Sequence, residues 1–449
     1  MQQLSKGAEV AQRPARGRPD DGTGSLLGQL AALGLRPRLM RTGNGWSGSG
    51  AALRMSFHDL LASPELAAHL FGRLRRLLVH RIPVTVTVTD LGSARLAAVS
   101  FERFCDRLDD VLGSQCIDRR QLGIAVYAAE LGLPAFLLIS RVLLGHGPRY
   151  HLLDPAHLNA GRRDNSHPTA DAIWSGLFLQ RARASRVLPA YGGGVRTRCP
   201  LLGDEQTGAL LPGRAVLVPP DTAWLPVDVC ITDFADASGA LRKDELRAAL
   251  TQGLEIADYL FDTLQWPDGP EQQDAFVNRR IGMELHGIGE LVARRGQDPG
   301  SLDCLRECDR LLADMHGWLW EQSRSIARTR GLLPALEQKD PSRTWSDQRH
   351  RSDWLERWRQ ALTSAAVRHR NLLVMSPYCV LPRNSARAQD YIDLLPLLAH
   401  ADACSFGAAP AFTDWTITEY KRFHRRAFAV MKRRNAAAFV ASDTAPHHP

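Results

Sequence analysis

Residues 278–291 read NRRIGMELHGIGEL. Three polar residues, Asn278, Arg279 and Arg280, open the stretch, and apolar residues then recur at Ile281, Leu285, Ile288 and Leu291. Spacings of three and four place residues on one face of a helix, so an amphipathic helix is predicted over 278–294. Glu284 and His286 are its two ionisable groups. The flanks read the same way. Residues 242–264 (RKDELRAALTQGLEIADYLFDTL) form a strongly amphipathic helix stopped by Gln265-Trp266-Pro267, and residues 301–328 form another. Residues 371–375 (NLLVM) then read as an apolar strand, followed by a loop over 376–385 (SPYCVLPRNS).

The first half alternates between the two periods. A Ser-Pro-Glu start precedes a helix over 63–80, and 81–90 (RIPVTVTVTD) alternates like a strand. Residues 101–112 look helical again, and 123–127 read as a strand. Helix and strand alternate without internal repeats, which points to the α/β class. The Gly-rich piece 42–50 (TGNGWSGSG) has neither the dinucleotide nor the phosphate-loop spacing and reads as a turn.

Composition excludes several function classes. The chain of 449 residues carries 56 Lys+Arg against 48 Asp+Glu, a formal charge of +8, with 44% hydrophobic and 23% charged residues. These values are ordinary for a globular chain and exclude collagen-like, coiled-coil and disulfide-scaffold classes. The most apolar run, 123–140, is interrupted by Glu130 and Pro134, so no membrane helix is expected. The first residues lack an apolar signal region, and eight irregularly spaced Cys suggest free thiols; a cytoplasmic protein is expected. Residues 1–24 are polar and read as a disordered arm. The four histidines His146, His151, His157 and His167 match no compact ligand spacing, so no metal centre is expected. Trp318, Trp320, Trp345, Trp354 and Trp358 read as packing residues, and the basic run 421–434 as a solvated helix.

The 278–291 stretch also resembles the "NRRIG" helix of the catalytic subunit of ribonucleotide reductases. Residues 229–236 (VCITDFAD) and the helix ending ADYLFDTLQWP are similar to segments that precede it in that family. Residues 371–377 (NLLVMSP) and 415–431 (WTITEYKRFHRRAFAVM) are similar to segments that follow it. The resemblance spans about 200–430, in family order. It implies a ten-stranded α/β barrel with peripheral helices over 25–435, a flexible tail over 436–449, and the family's N-terminal extensions missing.

The family removes the ribose 2′-hydroxyl with a thiyl radical. A Cys abstracts the 3′-hydrogen, a carboxylate acts as general base, and a dithiol closes to a disulfide as it supplies the electrons. Carried onto this chain, the resemblance makes Cys199 the radical residue, in TRCPLLGDEQ, with Glu205 as acid/base because Leu201 stands where the family has Glu. Cys230 lies near one redox cysteine, and Cys116 is available as its partner. At the family's phosphate loop, Ser376 precedes Tyr378-Cys379-Val380 where Thr-Gly-Thr is usual. Glu284 and His286 replace a Gly and a Met, so Glu284, His286, Ser376, Tyr378 and Cys379 form the candidate substrate pocket. Adenosylcobalamin is allowed as cofactor by the resemblance alone. A nucleotide or nucleoside-like substrate, a thiol reductant and a homodimer are compatible with it.

Two further readings compete. One is a reductase-like barrel without reductase chemistry, binding a ligand or running a specialised biosynthetic step in a remodelled pocket. The other is an Arg-rich nucleic-acid binder, which explains none of the motif order.

Overall fold

The computed structural model describes residues 20–37, 39–42, 45–48, 50–80, 82–90, 103–104, 106–107, 122–127, 149–153, 187–191, 209–210, 217–266, 269–297, 302–337 and 366–374. Its first helix, α1 (Asp20–Ala32), begins inside the stretch read as an arm. Strand β1 (Leu35–Pro37) follows, and then β2 (Met40–Thr42) and β3 (Gly45–Ser47), which pair as an antiparallel hairpin. The Gly-rich stretch 42–50, read as a turn, contains β3 itself; residues 43, 44 and 49 of it lie outside the described residues.

Strand β4 (Ala51–Ser56) opens the larger sheet, and α2 (Phe57–Ala62) and α3 (Pro64–Val79) lead from it to β5 (Val84–Thr89). The α3 start carries the signals expected of it: the Ser63 hydroxyl accepts from the Leu66 amide, and Pro64 sits in the first turn. With β6 (Leu122–Tyr127), β7 (Arg149–Leu153) and β8 (Val187–Tyr191), these strands form a five-stranded sheet in chain order, parallel throughout. Both faces of β5 are buried, Val84, Val86 and Val88 on one and Thr85, Thr87 and Thr89 on the other. Residues 103–104 and 106–107 are helical, within the stretch predicted so.

A short hairpin, β9 (Ala209–Leu210) with β10 (Leu217–Val218), leads into β11 (Trp224–Cys230). Ala52, Ala209, Val218 and Trp224 share a buried cluster, which joins this hairpin to both large sheets. Helix α4 (Lys243–Thr263) then packs on α1. It buries Leu246, Ala249, Leu250, Leu254, Ala257 and Phe261, the helical stripe legible in the sequence. Helix α5 (Pro270–Asn278), strand β12 (Arg280–His286), α6 (Ile288–Arg294), α7 (Leu302–Arg330), α8 (Pro334–Glu337) and β13 (Leu373–Val374) complete the described chain.

The prediction of one helix over 278–294 is overturned: the stretch is helix end, strand and a new helix. Residues 280–286 alternate strictly, with Ile281, Met283 and Leu285 on one face and Arg280, Gly282, Glu284 and His286 on the other. All seven are buried, because β12 lies between β11 and β13 in a four-stranded sheet of order β1-β11-β12-β13. Two glycines, Gly282 and Gly287, disfavour the helix, and partners on both edges reward the strand.

The strands β11, β12 and β13 run parallel, and β1 is antiparallel to β11. Their apolar face packs on the helices in one core that includes Leu225, Val227, Val229, Ile281, Met283 and Leu285. Trp320 is buried in that core and Trp318 packs against it, as the reading of the tryptophans expected; Trp345, Trp354 and Trp358 lie outside the described residues. Arg73 of α3 ties the two halves, donating to Glu271 of α5 at 2.5 Å and lying 2.7 Å from Asp221. The architecture shown is mixed α/β with parallel sheets. The closed ten-stranded barrel is not displayed by the described strands, which form sheets of five, four, two and two. Among the described residues, no helix is long and apolar enough to cross a membrane.

Candidate active site at the strand ends

The opposite face of the β11–β12 pair carries the chemistry. Parallel pairing sets Asp228 beside Glu284 and Cys230 beside His286. Paired residues of a sheet point to the same side, so two carboxylates, a thiol and an imidazole share a patch at the C-terminal ends of the two strands. Glu284 is 1% exposed, His286 2% and Cys230 7%. Asp228 is half-buried and accepts or shares a hydrogen bond with His286, Nε2 to Oδ1 at 3.1 Å. One donor atom from each of Asp228, Glu284 and His286 lies within 4.8 Å of the others. On this face the buried polar groups follow the apolar cluster around Trp224, so the sheet changes from apolar to polar toward its strand ends.

Cys230 ends β11 and starts a short turn of helix over Ile231–Phe234. Burial pushes its thiol above the ordinary range, and the charge of Asp233 adds to this; the Thr232 hydroxyl, 3.1 Å from Sγ, opposes both. At neutral pH the group is therefore a protonated thiol, an S–H source rather than a thiolate nucleophile.

The first residues of the motif do something else. Asn278 donates to Asp274 at 2.7 Å and accepts from Arg370 at 2.6 Å. Arg280 donates to Asp274 at 3.0 Å and to Asn371 at 2.7 Å. Arg279 takes a left-handed conformation at the end of α5, φ 40°, which turns its guanidinium onto Asp258 at 2.5 Å and Asp262 at 2.6 Å of α4. Asp258 is fully buried and also accepts from Arg330, from Arg368 at 2.8 Å and from His369 at 3.0 Å. Burial alone would raise its pKa, but the His369 hydrogen bond and the Arg279 and Arg368 charges outweigh it, holding the carboxyl well below its usual range. Burial keeps His369 below the ordinary imidazole range despite Asp258, so the ring is neutral. Its Nε2–H then donates to Asp258, and Nδ1 accepts from the Ser323 hydroxyl at 3.0 Å. Asn-Arg-Arg is thus a clamp holding α4, α5 and residues 368–371 together. Gly282 serves the same packing: a Cβ there would lie 2.4 Å from the Trp224 indole.

No family model matches the chain, and no curated protein matches it. Among solved structures it is similar to a class Id ribonucleotide reductase alpha subunit from Actinobacillus ureae. That likeness has 10% sequence identity and a TM-score of 0.43. It covers 74% of this chain and 59% of that subunit, so the chain spans under two thirds of the relative's length.

The structure brings together three of the residues singled out from sequence, Cys230, Glu284 and His286. Cys199, Glu205, Ser376, Tyr378, Cys379 and Cys116 lie outside the described residues, as do His146, His157 and His167 and the basic run 421–434. His151 is a β7 residue. Cys304 and Cys308 are buried on α7 in the helical core. Sequence reasoning missed Asp228, although an acid alternating with Pro226 and Cys230 in an apolar strand was the available signal. It also missed Asp258, an acid placed within the apolar stripe of α4. His286, the imidazole of the patch, is 2% exposed and paired with Asp228, so it is not open as an axial ligand to a large cofactor such as adenosylcobalamin.

Proposed function

We propose that the chain is a ribonucleotide-reductase-like enzyme that takes a nucleotide or nucleoside-like substrate at the C-terminal ends of β11, β12 and β13. One observation carries this reading: the Cys230 thiol shares the buried strand-end patch with Asp228, Glu284 and His286. Open parallel sheets take ligands at their carboxyl edge, and a patch of acceptors and one imidazole suits the hydroxyls of a ribose. The order of the family-like segments along the chain supports the nucleotide class. Ser376, Tyr378 and Cys379 follow β13 in sequence and are assigned to the same pocket.

In the finer form of the proposal, a separate radical generator takes a hydrogen atom from the Cys199 thiol, the resulting thiyl radical takes the 3′-hydrogen, and Glu205 takes the 3′-hydroxyl proton. The C2′–O bond breaks and the oxygen leaves as water. Cys230 and a second cysteine, for which Cys116 is available, lose two electrons and two protons and close to a disulfide, and Cys199 returns its hydrogen to C3′ and is a thiyl radical again. An external thiol reductant reopens it. A reductase-like protein with replaced chemistry is a second reading, and the Asp228–His286 pair beside Glu284 favours it, since the family has neither Glu284 nor His286.

The test is ribonucleotide binding by calorimetry, followed by incubation with a dithiol, with and without adenosylcobalamin, and chromatography for deoxynucleotide. Deoxynucleotide formation that is lost in Cys199→Ser and Cys230→Ser supports the reductase. Binding without deoxygenation supports the second reading, and absence of nucleotide binding overturns the reductase.

A further inference from the structure

We infer that Asp228, Glu284 and His286 form a binding site for one divalent first-row transition-metal ion, which holds the substrate's oxygens in the site proposed above. The identity of the substrate rests on that reading; the metal site itself does not.

Geometry comes first. One ligand atom from each residue lies within 4.8 Å of the others. Donor atoms at about 2.1 Å from a common ion sit roughly 3–4 Å apart, so small side-chain rotations close the set. The His286 Nε2 to Asp228 Oδ1 separation of 3.1 Å already has that spacing. A metal would replace the proton that the two atoms share.

Rigidity is the second argument. All three ligands project from paired parallel strands, Asp228 directly beside Glu284 and His286 two residues further along β12. Strand positions hold such a set more firmly than loops do. Two glycines shape the surroundings: Gly282 admits the Trp224 ring on the same face, and Gly287, at φ 83°, turns the chain away immediately after His286.

Charge and donor type then select the ion. Metal binding takes both carboxylates ionised and the imidazole neutral, a formal ligand charge of about −2, which a divalent cation balances in a buried patch. Imidazole nitrogen favours Mn, Fe, Co, Ni or Zn over Mg or Ca, and two carboxylates suit the harder end of that series. Three protein ligands leave positions open for water or for vicinal hydroxyls or a phosphate oxygen of the substrate. Cys230 lies beside His286 in the register, at the same strand ends.

The experiment uses the full chain stripped with chelator and titrated with Mn(II) without nucleotide, read by electron paramagnetic resonance. One bound equivalent is expected, with nitrogen coupling from a single imidazole in the pulsed spectrum. His286→Gln, Glu284→Gln and Asp228→Asn should each weaken binding at least tenfold, and His286→Gln should abolish the nitrogen coupling. No stoichiometric binding, wild-type signal without nitrogen coupling, or unchanged affinity in Glu284→Gln or Asp228→Asn would each overturn the site. The nitrogen coupling is measured on the unmodified protein, so the proposal stays refutable where a buried variant fails to fold. Nucleotide binding is measured separately: its loss with metal binding intact refutes only the substrate reading, and the reverse result refutes only the metal site.

Discussion

Asp258→Asn is the perturbation that bears most directly on how this site is held. The wild-type carboxylate is fully buried and receives Arg279, Arg330, Arg368 and His369 on two oxygens. Asparagine keeps the shape but offers one oxygen, and its amide points two donors at groups that are themselves donors. At least two charged hydrogen bonds go unmade, each about 1.5–3 kcal/mol. The guanidiniums of Arg279 and Arg368 are then left buried without their central counter-charge. Asp262 softens the loss, since it already takes Arg279 at 2.6 Å and Arg330 at 2.7 Å. Breaking a buried ion pair from one side typically costs about 3–5 kcal/mol, and that is the loss expected here. Denaturant unfolding followed by the fluorescence of the ten tryptophans measures it. Asp262→Asn is the control: its carboxylate is 40% exposed, and about 1 kcal/mol or less is expected. Adding Arg368→Met to Asp258→Asn should recover part of the stability, because it removes a buried cation whose remaining carboxylate, Asp262, is 4.0 Å away. A loss below about 1 kcal/mol for Asp258→Asn would refute the reasoning, for the cluster would then behave as a surface pair.

Three further outcomes are expected. Gly282→Ala forces a methyl to within 2.4 Å of the Trp224 ring and should cost about 1–3 kcal/mol in the same unfolding assay; an unchanged midpoint would show that the indole moves aside freely. His369 is neutral when folded but takes a proton below about pH 6.5 when unfolded. The unfolded state then binds more protons, so stability is fully present above that pH and falls as pH drops toward the folded pKa. The slope is up to about 1.4 kcal/mol per pH unit, and His369→Gln should flatten it in urea titrations at pH 5–7. Cys230, buried and held protonated, should react with an aromatic disulfide at pH 8 far more slowly than in denaturant; equal rates would contradict the site as described.

Much of the fold was open to reading along the chain. The α3, α4 and α7 helices and the β5 and β6 strands lie where apolar spacing places them, because a stripe or an alternation needs only its own residues to be visible. Residues 280–286 were not legible in that way. Ile281, Leu285, Ile288 and Leu291 satisfy the helical spacing, while Ile281, Met283 and Leu285 satisfy the strand spacing. The choice fell to β11 and β13, which are elsewhere in the sequence.

By itself the sequence determined the α/β class, the long helices and the identity of the reactive groups, since local period and side-chain chemistry are properties of short segments. Tertiary structure alone decided which groups meet. Asp228 and His286 are 58 residues apart, and a one-residue slip of the β11–β12 register would turn either set to the apolar face. Asp258 meets Arg368 across 110 residues. Pairings at that range depend on the packing of the whole sheet, and no periodicity within a segment encodes them.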